Sequence, residues 1–129
     1  MWLKPYGILL LGAGGAVGAI LRYLVSGWVQ ARQGTAFPWG TLAVNVVGCL
    51  LIGVLTPLVS EKLVRPEYRT ALLVGGLGAF TTFSTFGYET LSLLEGRQFR
   101  YALLYVIGTN GGCLTAVWLG HRVSEKLLT

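Results

Sequence analysis

Four apolar stretches, each long enough to cross a bilayer and each bounded by a short polar connection, leave this chain little choice of fold. They run over roughly residues 6–29, 39–59, 69–94 and 101–120. A hydrocarbon core about 30 Å thick is crossed by about 20 helical residues, so each stretch supplies one crossing. Lipid offers no partner for bare backbone, and each span is therefore expected to be helical except where protein covers a break. Composition agrees. Only 12% of the 129 residues are Asp, Glu, Lys or Arg, while 53% are apolar, and mean hydropathy is +0.65, which excludes disorder. The 19 glycines follow no G-X-Y period and only 4 prolines accompany them, so collagen-like and low-complexity readings fail. The expectation is an all-α membrane protein with a single four-helix transmembrane domain over residues 1–129, because no connection is long enough for a second domain.

The net charge of +5 does not point to nucleic acid, since the basic residues are scattered over termini and loops, where lipid headgroups meet them, and form no phosphate-binding stripe. With four spans, both termini and the second connection share one side. Lys4, Lys62, Arg65, Arg69, Arg122 and Lys126 lie there, against Arg32, Arg97 and Arg100 opposite, a bias of 6 to 3 towards cytoplasmic termini. So small an orientation signal is compatible with insertion both ways. The stretch from Met1 to Leu11 resembles a secretory signal, but three further spans make it the start of the first helix. Cys49 and Cys113 each lie inside an apolar run and read as small packing residues, not as a disulfide or zinc site. Four short helices are too thin to enclose a pore with their own walls, so association is expected. Gly14 with Gly18, Gly15 with Ala19 and Gly108 with Gly112 are small-xxx-small pairs that serve either a subunit seam or contacts within one chain.

Polar groups at membrane depth are costly, which makes each one a functional candidate. Arg22 either lines an entrance for an anion or snorkels to headgroups. Asn45, in Gly40-Thr41-Leu42-Ala43-Val44-Asn45-Val46-Val47-Gly48, either offers its amide to a ligand or staples two helices. The most informative segment is Gly75-Gly76-Leu77-Gly78-Ala79-Phe80-Thr81-Thr82-Phe83-Ser84-Thr85-Phe86-Gly87. Its glycines and β-branched threonines weaken the helix in mid-membrane, and a break there frees carbonyls that a hard cation can satisfy. Beyond the break, Thr82, Thr85 and Glu89 share one face while Phe83 and Phe86 lie on an adjoining one. Ring edges are electropositive, so they attract an anion without the grip of a full charge, and hydroxyl and amide donors replace the water that a small anion sheds. Tyr101, Tyr105 and Thr109 share a face of the fourth span and either extend this donor track or serve the interface and the helix backbone; Asn110 and Thr115 lie nearby. Glu89 sits either at a pore mouth or near the far interface.

Catalysis has no visible apparatus: His121 is the only histidine, and no nucleophile or carboxylate stands at a diagnostic spacing. After Gly12 and Gly14 the third glycine of a dinucleotide fingerprint would fall on Val17, with no strand before it.

Taken in register, Gly15-x-x-Gly18-Ala19-x-x-Arg22-Tyr23, Gly40-Thr41-Leu42-x-x-Asn45-x-x-Gly48 and Gly75-x-x-Gly78-x-x-Thr81-Thr82-Phe83-Ser84-Thr85-Phe86 resemble the Fluc/CrcB fluoride channels over all four spans. The resemblance implies a passive fluoride-selective channel of the cell's inner membrane that confers fluoride resistance. It further implies an antiparallel, dual-topology homodimer with two pores and a structural sodium ion on its axis. On this resemblance the backbone carbonyls of Gly78 and Thr81 from each subunit hold the sodium. Phe83 and Phe86 line the fluoride pore with Asn45 donating nearby, and Ser84, Thr85, Tyr105 and Thr109 form a polar track. Arg22 and Glu89 correspond to vestibule positions. The rival is a proton-coupled small multidrug exporter of four spans, which needs a titratable carboxylate deep in the first span; Arg22 is the sole charge there.

Overall fold

A computed structural model describes residues 4–60 and 63–129. Glu61 and Lys62 of the second connection, and the first three residues of the signal-like stretch, lie outside the described residues. Helix α1 (Pro5–Gln33) opens with proline in its first turn, where the missing N–H costs nothing, and stops at Gly34, whose φ of 58° is left-handed. Helix α2 (Trp39–Leu58) carries Pro57 in its last turn, which ends it. The third span is composite. Helix α3 (Pro66–Thr70) runs into a π-helical stretch, Ala71–Leu77, and a single turn, α4 (Gly78–Phe80), follows. Thr81 and Thr82 are then extended, with φ/ψ of −87°/159° and −152°/118°, before α5 (Phe83–Glu95) resumes. Helix α6 (Phe99–Leu128) completes the fold. The four spans are each long and apolar enough to cross a membrane, and no described residue is in a strand.

Within the weakened segment, Gly75 and Gly76 lie in a π stretch and stay helical, and the extended residues are the threonines, Thr81 and Thr82. One difference from the sequence expectation has a physical cause. Helix α6 continues eight residues beyond 120, because loss of hydropathy marks the end of the lipid and not of the helix. His121, Arg122 and Glu125 pair along its surface, with Arg122 Nη1 3.1 Å and His121 Nε2 3.5 Å from the Glu125 carboxylate.

Packing is governed by glycine. A Cβ at Gly14 would strike the Ala71 carbonyl and one at Gly18 the Gly76 carbonyl, so this pair lets α1 seat against the π stretch. Gly53 meets the Val117 carbonyl and Gly120 that of Leu50, which locks α2 and α6 side by side, running parallel. Gly15 and Gly108 face open space. Of the small-residue pairs, only the first is thus fully accounted for within one chain. The buried cluster is small: Phe37, Phe86, Leu93, Ala102 and Tyr105 at the α5/α6 end. Most other large apolar side chains point outward, as expected for a surface facing lipid or a partner.

Candidate functional site

The site is organised by the two extended residues. Asn45, on α2, turns its carboxamide to the Thr82 peptide: Nδ2 donates to the Thr82 carbonyl at 3.0 Å, and Oδ1 accepts from the Thr82 N–H at 2.7 Å. In an unbroken helix that N–H would go to the carbonyl of Gly78, four residues earlier. Thr82 then caps α5, its hydroxyl accepting from Thr85 N at 3.2 Å, and Thr85 N is the donor that an unbroken helix would give to the Thr81 carbonyl. The carbonyls of Gly78 and Thr81 therefore both lose their i+4 partner. Arg22 Nη1 donates to the Thr81 carbonyl over a long 3.5 Å.

Hydroxyls follow in sequence. Thr82 Oγ1 donates to Thr85 Oγ1 at 3.0 Å and lies 3.4 Å from Ser84 Oγ, with Ser84 and Thr85 both exposed on the chain. Next along this face is Glu89, whose carboxylate accepts from Thr41 Oγ1 at 2.9 Å and from Tyr105 Oη at 2.6 Å. It is the acceptor that joins α2, α5 and α6. It also lines a cavity of about 490 Å³ with Ser26, Gln30, Thr41, Ser92 and Gln98. Arg22 does not line this cavity, so the two vestibule candidates are not brought together.

The rings form a continuous series. Phe83, 77% exposed, lies 5.3 Å from Phe86, which is 6% exposed; Phe86 meets Tyr105 edge to face at 5.0 Å, and Tyr105 meets Phe37 at 5.5 Å. Thr109 is one turn along α6 from Tyr105, buried, and its hydroxyl has no hydrogen-bond partner among the described residues. It faces a second cavity, of about 270 Å³, together with Asn45, Thr81, Thr82, Phe83 and Asn110. Asn110 gives one amide hydrogen to the Val106 carbonyl at 2.8 Å, and Tyr101 packs edge-on to Phe37.

Three residues were missed by the sequence argument. Thr41 lies one turn before Asn45 on the same face of α2, and that spacing is a signal for it. Phe37 sits in a connection, where an aromatic ring gives no periodic cue. Gln30 donates to the Thr35 and Phe37 carbonyls at 3.0 and 3.1 Å and accepts from Gly40 N at 3.1 Å, fixing that connection beneath Tyr105. No cluster of three or more His, Cys, Asp or Glu side chains that could hold a metal occurs among the described residues.

Residues 9–121 match the family described as CrcB-like protein, Camphor Resistance (CrcB). Curated relatives named fluoride-specific ion channel FluC align over nearly the whole chain. That of Geobacter sulfurreducens is 47% identical over 121 residues, covering 93% of this chain and 98% of the relative. That of Rhizobium meliloti is 48% identical over 122 residues, 94% of this chain and 98% of the relative. That of Thermus thermophilus is 46% identical over 120 residues, 93% and 94% respectively.

Proposed function

The chain belongs to the CrcB family, and on that premise we propose that it is a fluoride-specific ion channel, passive, working as an antiparallel homodimer in the inner membrane of the cell. The observation that carries this reading is the break at Thr81–Thr82, with an aromatic series on one side and a hydroxyl series on the other. A small anion leaving water needs hydrogen-bond donors at close range and must not be held by a full opposite charge. Asn45 meets the first need: one hydrogen of its Nδ2 is spent on Thr82, and an amide NH₂ has two. Phe86, fixed against Tyr105, and Phe83, which stands off the chain, offer ring edges for the second. Ser84, Thr85 and the unpartnered Thr109 hydroxyl supply further donors along the path, the Thr82 hydroxyl spending its proton on Thr85, while Glu89 orients Tyr105 and Thr41 at its end.

The exposure of Phe83 supports a second copy as the missing wall. Two such chains in opposite orientations would bring two Gly78 carbonyls and two Thr81 carbonyls together, and all four have lost their helical donors. Hard oxygens released from their helical donors suit sodium, so these residues fit the structural cation that the family implies. It would clamp the two breaks, and Arg22 would hold the Thr81 carbonyl from the other side. The exporter reading has no comparable support, since α1 carries no carboxylate.

Purified protein in liposomes tests the proposal. Fluoride efflux is expected, with chloride and a lipophilic cation retained, and Phe83→Ile or Asn45→Asp is expected to abolish it while the oligomer still forms. Undiminished efflux in both variants overturns the pore assignment.

A further inference from the structure

Cys49 and Cys113 take no part in the path just described, yet both stand in the wall of its 270 Å³ cavity beside Asn45, Thr82 and Thr109. Their pairing follows from the helix register. Gly53 of α2 touches the Val117 carbonyl of α6, and Gly112 of α6 comes against the Val46 side chain of α2. Cys49 precedes Gly53 by one turn, and Cys113 precedes Val117 by one turn, on two parallel helices in backbone contact. The thiols are thus set opposite each other one turn from the glycine contact, half-buried, free, and close enough to interact.

The geometry points to Cys49 and Cys113 as a two-coordinate site for a soft, thiophilic metal cation, whose binding bridges α2 to α6 in the cavity wall and stops ion flux. Thiolates select soft cations, and the described residues supply no third sulfur, imidazole or carboxylate beside them, so a tetrahedral zinc centre is not on offer while linear coordination is. Each thiol gives up its proton to water on binding; two metal–sulfur bonds form and no electron is transferred. The site stands on the helix register alone, whereas its effect on flux rests on the channel reading.

Mercury(II) is the probe. Full-length protein in liposomes receives one equivalent, then a large excess of a monothiol, and intact mass and maleimide labelling are read. The wild type is expected to keep one mercury per chain and to lose both thiols to maleimide, while Cys49→Ser and Cys113→Ser are stripped by the monothiol. Single variants that hold mercury as firmly as the wild type, or wild type whose thiols still label after treatment, overturn the site. In the flux arm, mercury is expected to halt fluoride efflux through wild type and to leave the doubly substituted protein at its own untreated rate. Retained mercury with efflux continuing overturns the blocking role, and absence of efflux before treatment counts against the channel reading without touching the mass result.

Discussion

Asn45 answers the backbone of Thr82 twice, once as donor and once as acceptor, and so holds open a helix that would otherwise close. The sequence marked this residue as costly in lipid but left staple and ligand donor as alternatives, because a side chain's partners are not written in its neighbours. In the structure an amide with three hydrogen-bonding positions serves the staple with two and keeps one. Asn45→Leu is accordingly expected to strand a buried N–H and C=O at about 1–3 kcal/mol each, read as a lowered melting temperature in detergent; melting equal to wild type would show that the break stands without it. Tyr105, fully buried with its hydroxyl on Glu89, makes a parallel case. Tyr105→Phe is expected to cost about 1–3 kcal/mol by the same measurement and to leave Thr41 as the remaining donor seen on that carboxylate.

At the scale of the element, most of the fold was legible. Hydropathy gave four helices and their order, and the run of glycine and threonine located the interruption to within a few residues. The π stretch was not legible: α1 brings Gly14 and Gly18 against carbonyls of that segment, a tertiary contact with no local signature. Gly18→Ala is therefore expected to push α1 off the third span, while Gly15→Ala meets nothing within one chain; comparing the two by thermal unfolding and by oligomer size separates the contact within the chain from a seam between copies. The start of α5 was legible as chemistry but not as position. Thr82→Val removes the cap on Thr85 N and is expected to destabilise by about 0.5–2 kcal/mol, measured by denaturation, with Thr82→Ser restoring most of it.

For the molecule as a whole, the small buried cluster and the outward-facing apolar surface describe a chain whose exterior is covered by lipid or by a partner. Opposed orientation follows from the proposal and has its own check: reporters at the C-terminus are expected to be found on both sides of the membrane in one preparation, and a single-sided result would tie the 6 to 3 basic bias to one fixed orientation. The remaining feature that sequence order concealed is the clasp of Gly53 and Gly120, which joins the second span to the fourth and passes over the third. During biogenesis this has a direct consequence. The second span enters the bilayer with its Asn45 amide unmatched until the third span brings Thr82, and with Gly53 unmatched until the fourth brings Val117. The first three spans touch one another and can settle as they emerge, whereas the seam between α2 and α6 closes last, when translation has nearly ended.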